Sequence, residues 1–266
     1  MCQDFADAFL QIIRNIAVHY DDIRLVFDRY LKKSLKEQMW TKRTKGKSTY
    51  YHIKDNTFIQ NISLKEFLSD IQTKGELTDN LANKVLSHSK SSNNRLKKLM
   101  VTSGTQTKGN VDVPNSLLTH SQEEADTLLL LHALNVPSDA ELVISSPDTD
   151  VLVLLVYMYK SLPKSTTFIT GKSRLKRSIS VENIYNNLGP KHASALLGFH
   201  ALTGSDISGK FAGRTKDSCF KAFQSCDDDI LDALVMLRSD TDLSTEVCSQ
   251  LECFVCILYR SKIYTK

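Results

Sequence analysis

The residues best equipped for chemistry in this 266-residue chain are carboxylates in closely spaced pairs. They fall in three clusters: Glu124-Ala125-Asp126, Asp148-Thr149-Asp150 and Gly204-Ser205-Asp206. Asp148 and Asp150 directly follow AELVISS (140–146), which reads as a strand, so they belong at its carboxyl end, where open α/β sheets build their sites. Carboxylates converging on one edge repel one another unless cations hold them. Mg2+ and Mn2+, as hard ions, prefer such oxygen donors. Two such ions about 4 Å apart activate a water and stabilise the leaving oxygen in phosphodiester cleavage. Each cluster also has a plain structural reading. Glu123, Glu124 and Asp126 suit the positive end of a helix dipole, Asp148 suits a helix N-cap, and Gly-Ser-Asp suits a turn. Order, spacing and placement together favour the chemical reading. Glu124, Asp126, Asp148, Asp150 and Asp206 are therefore expected to share one pocket, with the first four as its catalytic groups.

Alternating strands and helices must position these residues. Apolar residues at Phe5, Phe9, Ile12, Ile13, Ile16 and Ala17 predict an amphipathic helix over 5–19. IRLVF (23–27) predicts a buried strand ending in Asp28. Residues 61–86 predict one or two helices opened by Ser63, with Glu66 completing a capping box. A polar loop (87–98) and the strand LMVTSG (99–104) follow. Ser121 is expected to cap a helix through EEADTLLLLHALN. After the strand 140–146 come an apolar helix in PDTDVLVLLVYMYKSL, the strand TTFIT (166–170), helices opened by Ser180 and Pro190, and a helical tail over 218–266. Such alternation predicts an α/β fold with parallel pairing in a layered sheet. No fixed-period repeat or clean boundary divides it, so one domain over 1–266 is expected.

Charge is divided unevenly. The net charge is +4, yet residues 29–100 hold 16 lysines and arginines against six acids, a balance of +10, leaving −6 elsewhere. Residues 29–47 carry eight cations opposed only by Glu37. A basic block beside an acidic half points to a polyanion held near bound cations. Nucleic acid is the expected partner.

The composition, 41% hydrophobic and 24% charged, excludes a disordered chain, a collagen repeat and a coiled-coil rod. The longest apolar run, Val151–Met158, falls well short of the ~20 residues of a membrane span. MCQDFADAFLQ lacks a signal peptide's basic and apolar regions. A soluble, intracellular protein is expected. The absence of GxSxG, P-loop and GxGxxG patterns argues against hydrolase-fold, nucleotide triphosphate and dinucleotide chemistry. Five of six cysteines, Cys219, Cys226, Cys248, Cys253 and Cys256, lie in the last fifth of the chain. The spacing of Cys248, Cys253 and Cys256, without a following His, reads as buried helical thiols rather than a zinc site. His120 and His132 read as satisfied or exposed, His200 as core, and Trp40 as a packing anchor.

Three segments, QEEADTLLLLHAL, VISSPDTDVLVLL and LLGFHALTGSDISGKFAGRTK, resemble the core of the flap endonuclease and excision-repair 5′-nucleases of the PIN-like superfamily. They look most like the PIN-like proteins of animal genomes that often lie near mobile elements. The resemblance spans roughly residues 20–215 and is continuous only in the acidic blocks. It implies a three-layer fold with a central, mainly parallel sheet flanked by helices, acting as a structure-specific nuclease on branched or single-stranded DNA more than on RNA. It also implies Mg2+ or Mn2+ held by Glu124, Asp126, Asp148, Asp150 and Asp206, with Asp28 in support, and a nuclear location. The segment after Asp28 resembles the family's basic arch, here within 29–100, giving Lys32, Lys33, Lys36, Lys42 and Arg43 a phosphate-clamping role. Lys210, Arg214 and Lys216 match loosely the family's duplex-gripping hairpin.

Two departures accompany the resemblance. The family's first strand, with its own metal-binding Asp, normally precedes the arch by several tens of residues. Here about twenty residues precede IRLVFD and they read as a helix, with Asp4 and Asp7 poor substitutes. The segment after Asp206 follows the duplex-gripping pattern only loosely. A depleted site yields a rival expectation, a module that binds nucleic acid or protein without cutting. A Toprim fold, which also combines Glu with a D-x-D pair, fits less well because Glu124 opens a helix. Glycosyl transfer lacks any nucleotide-sugar pocket.

Overall fold

Apolar residues three and four positions apart turn one face of α1 (Cys2–Ala17) inward, burying Ala6 and Ile13 with Phe9, Leu10 and Ala17 beside them. The computed structural model describes residues 2–30, 48–54, 62–90, 98–171, 175–204, 209–239 and 242–260. Across these residues the α/β class holds, with eleven α-helices and two three-stranded sheets. The chain divides into two compact units, Met1–His132 and Ala133–Lys266.

In the first unit β1 (Asp22–Val26) pairs in parallel with β2 (Lys98–Ser103), setting Ile23 opposite Leu99 and Leu25 opposite Val101. β3 (Gln106–Gly109) returns antiparallel to β2 through a tight turn in which Gly104 has φ 62°. Two short-range caps start the next helices. Ser63 Oγ accepts Glu66 N–H at 3.1 Å before α2 (Leu64–Phe67), and Asp70 Oδ1 accepts Thr73 N–H at 2.9 Å before α3 (Ile71–Ser89). α3 runs beyond its expected end into the region read as polar loop. It lays Ala82, Val85 and Leu86 on Ile13, Ile23, Leu99 and Val101, while Leu77 and Leu81 pack with Ala6, Ile53 and Phe67. α4 (Asn115–Leu118) and α5 (Ala125–Leu134) follow.

In the second unit β4 (Leu142–Ser145) pairs in parallel with β5 (Thr166–Thr170), and β6 (Arg177–Ser180) closes the sheet antiparallel to β5. α6 (Asp150–Tyr157) follows β4 and ends in a 3-10 turn, Tyr159–Ser161. Ser180 caps α7 (Val181–Leu188) by accepting Asn183 N–H at 3.2 Å, and Pro190 opens α8 (Pro190–Leu202). α9 (Lys216–Gln224) starts in a Thr215–Ser218 capping box, and Asp227 caps α10 (Asp228–Met236). α8 and α10 cross so closely that a Cβ on Gly198 would stand 1.9 Å from Leu234 O. Phe199 stacks on Phe223 at 4.4 Å between centroids, and Phe254 from α11 (Thr245–Arg260) meets Phe199 edge-on.

The structure departs from the sequence reading at two further strands, one helix cap and the cysteines of α11. Strands β3 and β6 were not anticipated, because neither carries the apolar alternation that marks a half-buried strand. Ser121 does not cap α5, which starts four residues later at Ala125. Cys248, Cys253 and Cys256 are exposed rather than buried, since α11 turns Phe254 and Leu258 to the core instead. Only Cys219 and Cys226 are buried thiols among the described cysteines.

Candidate functional site

In the first unit, the end of β1 is stitched to the start of α5. Phe27 N–H extends the ladder to Thr102 O at 3.1 Å, and Arg29 N–H donates to Glu123 O at 2.9 Å. Between them, Asp28 Oδ1 accepts the N–H of Ala125 at 3.0 Å. Asp28 thereby satisfies an otherwise unpaired donor of the first turn of α5 from 97 positions away, doing the work expected of Ser121. The same bond brings Asp28 beside the Glu124-Ala125-Asp126 segment. Glu124 is exposed and Asp126 half-buried.

His132, near the far end of α5, is buried. Its Nε2 meets Thr102 Oγ1 at 2.8 Å, Arg24 Nη1 donates to its carbonyl at 2.8 Å, and its Nδ1 has no partner among the described residues. Burial first, then the nearby Arg24 and His120, push its pKa down to about 4. Burial is also the largest cause lowering that of His120. Neither histidine is exposed or fully satisfied: both ring nitrogens of His120, like Nδ1 of His132, are buried without a side-chain hydrogen-bond partner among the described residues.

In the second unit, Ser146 N–H continues the parallel ladder to Ile169 O at 3.1 Å, and the D-x-D pair comes straight off this strand end. Asp148 N–H donates to Ser146 Oγ at 3.1 Å, and Asp148 Oδ1 accepts Asp150 N–H at 2.9 Å, closing the turn that opens α6. Asp148 is not the N-cap, which is Thr149, but from one residue earlier it satisfies the first N–H of α6 through one oxygen. Asp150 is fixed from another side. His200 Nε2 of α8 lies 3.3 Å from Asp150 Oδ2, with 21% of the histidine side chain and 46% of the aspartate exposed. His200 is not a core residue, because the face of α8 that carries it is turned toward α6 rather than into the aromatic cluster.

The basic residues after the third acidic cluster have separate surroundings. Lys216 Nζ lies 3.2 Å from Thr203 Oγ1 and 3.4 Å from both His200 O and His200 Nδ1. Burial is the largest influence lowering its pKa, opposed by Asp150. The Arg214 guanidinium covers the Tyr259 ring at 4.7 Å. Lys210 is exposed, its stem passing so near Gly204 that a Cβ there would come within 2.8 Å of Lys210 Cγ. Gly204 itself, at φ 105°, adopts a backbone conformation that favours glycine. Asp206, Lys32, Lys33, Lys36, Lys42, Arg43 and Trp40 lie outside the described residues.

The donor set of the D-x-D pair suits a hard cation. Mg2+ commonly takes one or two carboxylates and completes its shell with water and substrate phosphate oxygens. Asp148 and Asp150 supply that number, with Asp148 Oδ2 unengaged among the described residues. No group of three or more His, Cys, Asp or Glu gathers as a metal site among the described residues. No helix among them is long and apolar enough to cross a membrane. No family model, curated protein or solved structure matches the chain.

Proposed function

We propose that the chain is a divalent-metal-dependent nuclease of PIN-like, three-layer architecture that cleaves phosphodiester bonds in branched or single-stranded DNA, with RNA a lesser substrate and the nucleus its place of action. The observation that carries this reading is the delivery of Asp148 and Asp150 directly off the end of a parallel strand, with Asp148 held by the turn and Asp150 against His200. Asp148 and Asp150 of the second unit would hold Mg2+ or Mn2+; Glu124, Asp126, Asp206 and, in support, Asp28 are the further ligands that the sequence puts forward. The bound ions would supply an ionised water and charge neutralisation at the leaving oxygen. The chain's own residues keep the carboxylates oriented, and the lysines and arginines of 29–47, with Lys210, neutralise backbone phosphates.

The test is metal-dependent cleavage of a labelled flap and hairpin panel. Asp148→Asn or Asp150→Asn should lower the rate on the order of 100-fold or more, since metal stabilisation of the transition state is worth several kcal/mol. Substrate binding should persist. Equal rates in variant and parent across a metal titration would refute the assignment. One observation favours a second reading, a module that binds without cutting: Asp28 and Asp148 both use a carboxylate oxygen to satisfy a helix-start N–H. That reading predicts salt-sensitive binding with no metal-dependent turnover.

A further inference from the structure

We propose that Lys216 and His200 are positioning residues that orient the Asp150 carboxylate, a role that rests on the reading of Asp150 as a metal ligand. The three side chains come from α9, α8 and α6 of the same unit. Lys216 Nζ approaches His200 Nδ1 at 3.4 Å, and the same ammonium is tied to His200 O at 3.4 Å and Thr203 Oγ1 at 3.2 Å. A lysine ammonium has donors only, so His200 Nδ1 must be the acceptor of that contact. In a neutral imidazole the proton then sits on the other nitrogen. That nitrogen, Nε2, is the one facing Asp150 Oδ2 at 3.3 Å. Lys216 thus selects the tautomer, and that tautomer places the ring proton on the nitrogen nearer the carboxylate. At 3.3 Å this is an electrostatic contact and not a short hydrogen bond.

The main-chain end of Asp150 is fixed independently by its N–H on Asp148 Oδ1. Backbone and side chain of one aspartate are therefore held by two separate sets of contacts. Lys216 is itself exposed, and all three contacts of its Nζ are with His200 and Thr203, at the end of α8. Outer partners of this kind are worth about 10–100-fold in metal affinity when they orient a ligand.

The experiment uses the full chain labelled with 15N at histidine. Long-range proton–nitrogen correlations should report the Nε2–H tautomer of His200 in the parent and a mixture in Lys216→Met. Mn2+ titrations followed by electron paramagnetic resonance should show about 10-fold weaker binding in His200→Leu. His200→Gln, whose amide donates from near the Nε2 position, should recover most of the loss. An Nδ1–H tautomer in the parent overturns the proposal, and so does equal Mn2+ affinity in the parent and His200→Leu. A parent that binds no Mn2+ overturns instead the reading of Asp150 as a ligand, and the tautomer measurement then decides the relay alone.

Discussion

Mild acid should loosen the first unit through His132. In the folded chain its pKa is held down to about 4, chiefly by burial, against an ordinary value of 6.5. The unfolded chain therefore binds a proton that the folded chain refuses. The stabilising difference is complete above pH 6.5 and is lost as pH falls from there to about 4. A gap of about 2.5 units at ~1.4 kcal/mol each corresponds to roughly 3 kcal/mol, of which about 2 kcal/mol is gone by pH 5. That corresponds to a roughly 30-fold larger population of the opened unit. Hydrogen exchange at the Leu99 and Val101 amides of β2, corrected for intrinsic rates, reads this opening directly at pH 7.5 and pH 5. His132→Gln removes the titrating group, so its opening should vary much less between the two pH values. An unchanged opening free energy in the parent would refute the reasoning. So would a His132 ring resonance that titrates near pH 6.5.

Three further outcomes follow from other residues. Gly198→Ala places a Cβ 1.9 Å from Leu234 O at the α8–α10 crossing and should destabilise the second unit by about 1–3 kcal/mol, seen as a lower urea midpoint. Glu76 is pushed up by burial, but Tyr50, the Ile53 amide and His52 outweigh this and hold its pKa at about 2. Its contribution is present above pH 4.5 and lost toward pH 2, so Glu76→Gln should flatten the acid limb of the stability profile below pH 4.5. Mass-spectrometric mapping of iodoacetamide labelling should mark Cys248, Cys253 and Cys256 within minutes in the native protein. Cys219 should label only on unfolding, as should Cys226, whose pKa burial and Asp227 push up to about 11.

Residues that pack by local period were legible in the sequence. α1, the strands β1, β2, β4 and β5, and the caps at Ser63 and Ser180 fall where apolar spacing and cap chemistry put them. Strands β3 and β6 escaped because QTKG and RSIS are polar edge strands held through backbone pairing, which leaves little trace in side-chain type. Cap acceptors over short range are readable and those over long range are not. Ser121 has the right type for α5, but the acceptor is Asp28 from another element. His200 reads as core for the same reason, since its partner Asp150 lies 50 positions away and an apolar helix gives no hint of it. The cysteines of α11 follow an apolar pattern broader than one helix face, and Phe254 and Leu258 took the interior. In the candidate site, the D-x-D pair at a strand end was readable. Its anchoring by His200 and Lys216 was not.

The two parallel pairs differ greatly in the length of chain each must close. About 20 residues separate β4 from β5, whereas about 70 separate β1 from β2, and the basic block falls inside that longer crossover. Loop-closure entropy rises by ~0.6 kcal/mol for each doubling of length, so the longer connection costs roughly 1 kcal/mol more before any strand contact forms. During synthesis β1 leaves the ribosome long before its neighbour exists, and the cationic stretch follows it out while that strand is still unzipped. A chain whose most positively charged stretch emerges ahead of the sheet that brackets it is exposed to the ribosome's own RNA at that stage, which makes the order of assembly a matter of solubility as well as of speed.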